Sequence, residues 1–186
     1  MNLKTGFLNI FRRISQLPAA EVFLAERIAN GSKISKKLIA DIALYPKNSF
    51  RTCTRNGIHY KLDISEYMEH AIYFNITDTV DFDRRFLYSL IKPDFICLDI
   101  GANIGETSLN FARLAPNGRV YAFEPVPFLH ERLKTNIALN RYQHIDIYNL
   151  ALSDKEEELF FENPSNNNSS GIALSKEPTN TSTLVH

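Results

Sequence analysis

The sequence predicts an α/β protein organised around a glycine turn between a strand and a helix. Three observations predict it. A short apolar run, Phe95–Leu98, leads through Asp99-Ile100-Gly101-Ala102-Asn103-Ile104-Gly105 into Glu106–Leu114, which can form a helix. A second unit follows in the same order: the turn Pro116-Asn117-Gly118, the apolar strand Arg119–Phe123, then Glu124-Pro125 and the helical stretch Pro127–Asn140. In a third stretch, Ile145 and Ile147 alternate with Asp146 and Tyr148, the pattern of a half-exposed edge strand. Strand, crossover helix, strand is α/β architecture.

Composition sets the bounds. With 186 residues, 44% of them hydrophobic and 23% charged, the chain suits one soluble globular domain of ordinary size. Twenty-one basic residues balance twenty-one acidic ones, so there is no electrostatic footprint for nucleic acid. No apolar stretch is long enough for a transmembrane segment, Met1–Ala20 lacks the apolar core of a secretory signal, and a cytoplasmic location is expected. Cys53 and Cys97 lie far apart, Cys97 inside an apolar strand, which reads as a buried free thiol. The five histidines show no metal-ligand spacing.

The chain divides into an N-terminal helical segment (1–48), a hairpin and helix lead-in (49–93) and the α/β part (94–186). Leu3, Phe7, Ile10, Phe11, Ile14 and Leu17 recur at helical spacing, which reads as a helix packed on its own domain, with a basic amphipathic anchor as the alternative. A second helix is expected over Glu21–Ala29, stopped by Asn30-Gly31, and a third from a Ser35 cap toward Leu44. Phe50–Thr54 and Ile58–Leu62 flank Asn56-Gly57, the strongest short hairpin signal. In the aromatic stretch Glu66–Phe74, His70 reads as structural. Thr79 or Asp81 is expected to cap a helix running to Leu90-Ile91, with Phe82, Phe86, Leu87 and Leu90 inward and Arg84 opposite. Lys92-Pro93 stops it.

The residues of the glycine turn then suggest chemistry. Gly101 and Gly105 lack a Cβ, Asn103 tolerates a left-handed backbone, and the first amides of the next helix are free to meet an anion. Asp99 adds a negative charge, so the turn suits a ligand with both a carboxylate and a cationic centre. Glu124 lies 25 residues (124 − 99) past Asp99, near the separation at which an acid after the second strand meets ribose hydroxyls. The alternative for Glu124 is an exposed strand-end acid. No Gly-x-Gly-x-x-Gly turn is present, which disfavours a nicotinamide enzyme. In the second crossover helix Leu129, Leu133 and Ile137 mark the apolar face. Asn136 is expected to brace a neighbouring loop and Asn140 to end the helix.

Asp99–Gly105, Val120–Pro125, Asn136 with Leu139-Asn140, and Ala151-Leu152-Ser153-Asp154, in this order, closely resemble FkbM-type methyltransferases. The resemblance implies a Rossmann-like methyltransferase sheet, the cofactor S-adenosylmethionine (SAM) and methylation of a hydroxyl on a sugar- or polyketide-like small molecule. It implies that Asp99, Gly101, Ala102, Asn103 and Gly105 hold the methionine end, that Glu124 holds the ribose, and that Ala151 lies beside the adenine. No residue presents itself as a general base.

The resemblance also implies seven strands, of which the sequence supplies three before the polar run Asn163–Ser170. Leu159–Phe161 reads as a further short strand and Thr179–Val185 as the approach to another, but the expected Asp-x-Glu-Gly-type segment does not follow. The fold expected is therefore incomplete, a truncated member of the family. Two functions remain open: an active O-methyltransferase, or a non-catalytic SAM-binding remnant or subunit completed by another chain. An open edge on the first strand predicts self-association.

Overall fold

The computed structural model describes residues 12–76, 81–155, 159–162, 174–175 and 182–185. Within Met1–Cys53 and Leu62–Thr79 the described residues form one compact unit, and within Thr54–Lys61 and Val80–His186 a second.

In the first unit, residues 12–14 are helical, and Ile14 and Leu17 are exposed, so this end of the N-terminal stripe is not buried. The rest of that stripe lies outside the described residues. Helix α1 (Pro18–Ala29) begins three residues before Glu21, because Pro18 occupies its first turn, where a missing N–H costs nothing. The third helix differs more. Ser32, not Ser35, caps α2 (Lys33–Leu38), accepting the Ser35 N–H at 3.3 Å. The helix stops at Ile39. Asp41 is extended so that its carboxylate can accept the Ala43 N–H, which starts a separate 3-10 turn at Ile42–Leu44. Two local caps thus divide what periodicity reads as one helix.

Strands β1 (Phe50–Arg55) and β2 (Ile58–Asp63) form the expected hairpin, with Asn56 at φ 52° and Gly57 at φ 79° in the turn. Two successive positive φ angles match the twist of the strands. Helix α3 (Tyr67–Tyr73) carries His70, whose ring lies 3.3 Å from the Ala40 carbonyl and against Tyr45 and Phe74. Burial lowers its pKa, as for a structural imidazole.

In the second unit, helix α4 (Asp81–Leu90) exists but presents a different face. Phe86, Leu87 and Leu90 are exposed, while Tyr88 and Ile91 pack on the core and Arg84 pairs with Glu106 at 2.8 Å. The charge pair orients the Arg84–Tyr88 stripe inward, against the expectation that Arg84 faces away. Thr79 lies outside the described residues.

Strands β3 (Ile96–Ile100), β4 (Arg119–Phe123) and β5 (Ile145–Tyr148) form a parallel sheet in the order β3-β4-β5, joined by α5 (Glu106–Leu114) and α6 (Pro127–Ala138). This is the α/β, Rossmann-like arrangement in partial form, and among the described residues β5 is an edge, as its alternation predicts. Cys97, Val120, Ala122, Ile145 and Ile147 share one face, covered by Tyr88 and Ile91, by Phe111 and Ala112 of α5, and by Leu133 and Ile137 of α6. Cys97 is a buried free thiol. Gly118 admits the close approach of strand and turn: a Cβ there would lie 1.9 Å from the Phe95 carbonyl oxygen.

The other face is open. Ile96, Leu98 and Ile100 are 68%, 57% and 65% exposed, so this apolar strand is covered on one face. Among the described residues β3 pairs only with β4. Strands β6 (Leu159–Glu162), β7 (Leu174–Ser175) and β8 (Ser182–Val185) make a small antiparallel sheet, β7-β6-β8, which includes both late strands suggested by the sequence. The Asn163–Ser170 run lies outside the described residues.

Candidate cofactor site

The carboxyl ends of β3 and β4 open into one loop cluster. Gly101 and Gly105 have φ of 80° and 91°, and Asn103 between them has φ 52°, so three of five residues are left-handed. Glycine and asparagine are the residues that adopt this backbone most readily. The Gly101 and Ala102 N–H groups both donate to the Phe123 carbonyl at 2.9 Å, fixing the loop to the end of β4. Gly105 donates to the Ala102 carbonyl at 2.8 Å and leads directly into α5.

Glu124 closes the cluster from the second strand. One carboxylate oxygen accepts the Asn103 N–H at 2.7 Å and the other the Val126 N–H at 2.9 Å. The side chain is buried, so it is not the exposed strand-end acid of the alternative reading. Burial raises its pKa; the two amide bonds oppose that shift, and the charge of Asp99 adds to it. A carboxylate has about four acceptor positions, so two amides leave capacity for ligand hydroxyls.

Asp99 is placed differently from a charge at an open mouth. It points to the helix-covered side, buried, and accepts the Ser108 hydroxyl at 2.5 Å. Burial raises its pKa, while bonds from the Ser108 hydroxyl and backbone and the nearby Arg84 charge oppose the shift. Gly105, at the N-cap of α5, has no side chain to cap the helix, and Asp99 performs that task from the strand. Glu106, the first residue of α5, is held by Arg84 and receives the Asn110 amide at 3.1 Å.

Ala151 lies three residues beyond β5, half-buried. Asn149 makes the link between that strand end and the site, donating to the Glu124 and Pro125 carbonyls at 2.8 and 2.9 Å. Sequence reading misses Asn149 and Ser108. The only signal for Asn149 is an amide immediately after a strand, and the only signal for Ser108 is a hydroxyl in a helix's first turn. Among the described residues no group of three or more His, Cys, Asp or Glu side chains could hold a metal ion, and no helix is long and apolar enough to cross a membrane.

The chain is similar to several known proteins over part of its length. A segment of AMB antimetabolite synthetase AmbE from Pseudomonas aeruginosa is 44% identical over 86 residues, 45% of this chain and 4% of that one. The 2-O-methyltransferase NoeI from Sinorhizobium fredii is 33% identical over 91 residues, 48% of this chain and 36% of that one. The crystal structure of P. horikoshii TYW2 in complex with MeSAdo aligns with 62% of this chain and 41% of its own at 29% identity, with a TM-score of 0.47. The chain thus spans about a third of the length of NoeI and a small part of AmbE. The family match begins at Asp99 itself and runs through the glycine loop, Glu124 and Asn149. Residues 99–185 of this chain match the model of the methyltransferase FkbM domain.

Proposed function

We propose that the chain binds S-adenosylmethionine in the loop cluster and serves methyl transfer to a hydroxyl of a sugar- or polyketide-like small molecule. The observation that carries this reading is the meeting of Glu124 with the Asn103 amide at 2.7 Å, which joins an acid after the second strand to a left-handed glycine loop after the first. The Gly101–Gly105 backbone takes the amino-acid end of the cofactor. Glu124 takes the ribose hydroxyls through the lone pairs that the amides leave. Asp99 sets the first turn of α5 and contributes negative potential toward the sulfonium and ammonium charges. Ala151, small and half-buried, borders the adenine. Methyl transfer from a sulfonium is in-line attack by the acceptor oxygen, so positioning supplies much of the catalysis.

The match of NoeI, named a 2-O-methyltransferase, supports a hydroxyl acceptor. A second reading, a cofactor-binding part completed by another chain, is favoured by the open apolar face of β3. Radiolabelled methyl transfer to hydroxylated sugars separates the two. Turnover by the chain alone supports the first reading. Cofactor binding without turnover, with activity restored by an added partner chain, supports the second.

A further inference from the structure

We infer that Asn136 is a positioning residue of the cofactor loop, and that it locks the loop to the hairpin strand β2; this rests on the reading of Gly101–Gly105 as the cofactor turn. Asn136 sits on α6, and its side chain is 0% exposed. Its carboxamide is used at both ends. Oδ1 accepts the Lys61 N–H of β2 at 2.8 Å, and Nδ2 donates to the Ile104 carbonyl at 2.9 Å.

The second bond acts on one peptide unit. The Ile104–Gly105 peptide has its C=O held by Asn136 and its N–H held by the Ala102 carbonyl at 2.8 Å. A plane fixed at both ends cannot rotate, and this plane sets the left-handed Gly105 that begins α5. Leu133, one turn earlier on α6, lies under the same spot: a Cβ on Gly105 would come within 2.6 Å of its Cδ1. Helix α6 therefore touches the loop at two consecutive positions, once by packing and once by a hydrogen bond.

Asn140 supplies the contrast. One turn after Asn136, its Oδ1 accepts the His59 N–H at 2.9 Å and its Nδ2 donates to the His59 carbonyl at 2.8 Å. His59 and Lys61 are alternate residues of β2, whose backbone groups point the same way along one edge. Two asparagines at i and i+4 thus stand in for a neighbouring strand. Both bond the hairpin, and of the two only Asn136 continues to the loop.

The test compares the full chain with the variants Asn136→Asp, Asn136→Ser and Asn140→Ala by thermal melting, calorimetric SAM titration and Gly105 amide exchange by NMR. Asp keeps the acceptor for Lys61 and loses the donor for Ile104. Serine removes the amide without introducing a buried charge, which covers the case in which Asn136→Asp fails to fold. Both Asn136 variants are expected to lose about tenfold in SAM affinity, the scale of one lost buried hydrogen bond, and to speed Gly105 exchange. Asn140→Ala is expected to lower the melting temperature with affinity within about twofold and Gly105 exchange unchanged. A folded Asn136 variant with wild-type affinity and exchange overturns the inference, as does equal loss of affinity in Asn140→Ala. If the unaltered chain does not bind SAM, the cofactor reading fails, and Gly105 exchange in the ligand-free protein still decides whether Asn136 clamps the loop.

Discussion

The Glu124 carboxylate accepts the Asn103 backbone N–H at 2.7 Å, and with it a left-handed loop after β3 is tied to the end of β4. The same carboxylate accepts the Val126 N–H at 2.9 Å, at the N-cap of α6. One side chain thus fixes three things: the loop, the end of its own strand and the start of the next helix.

Glu124→Ala is predicted to weaken SAM binding by about 1.5–3 kcal/mol, the range for hydrogen bonds to a charged group. Calorimetry on a folded variant reads this as roughly a ten- to hundred-fold loss of affinity. Unchanged affinity would remove Glu124 from the ribose position.

The pH dependence has a definite sign. Burial raises Glu124 above its ordinary 4.5 and Asp99 above its ordinary 3.8. An acid whose folded-state pKa is raised contributes stability that is fully present below its unfolded value and is lost as pH rises through the folded value. Glu124→Gln removes that dependence, so the stability of the wild type relative to the variant should shrink as pH rises from about 4 to about 7. Melting curves across that range check it; a difference that grows with pH would contradict the burial argument. The cationic cofactor favours the ionised carboxylates, so its affinity should fall over the same range on acidification.

Gly118→Ala is predicted to destabilise the second unit, by about 1–3 kcal/mol or more, because the new Cβ meets a backbone carbonyl and not a movable side chain. A denaturant midpoint equal to wild type would mean that the turn and β3 separate freely.

Much of the core was legible because its signals are local. Alternating apolar strands, the Asn56-Gly57 turn, the glycine loop and the Leu129–Leu133–Ile137 stripe each declare themselves within a few residues, and each appears where expected. The failures are non-local. Periodicity cannot say that Arg84 turns inward to meet Glu106, 22 residues away, or that Asp99 spends its carboxylate on the first turn of α5. An apolar strand also looks the same whether one face or both are covered, so the exposure of Ile96, Leu98 and Ile100 had no counterpart in the pattern.

That open face carries a prediction of its own. Contiguous exposed apolar surface on a sheet edge invites association. Light scattering of the isolated chain should show particles larger than a monomer, and Leu98→Lys with Ile100→Lys should shift them toward the monomer. A monodisperse monomer before substitution would show that the face is tolerated in water.

The most direct test of the cofactor reading is a calorimetric titration of the purified 186-residue chain with SAM, and separately with NAD. The account predicts saturable binding of one SAM per chain, lost or sharply weakened in Glu124→Ala, and no comparable binding of NAD. Absence of SAM binding by a folded chain, or equal binding of NAD, would contradict it.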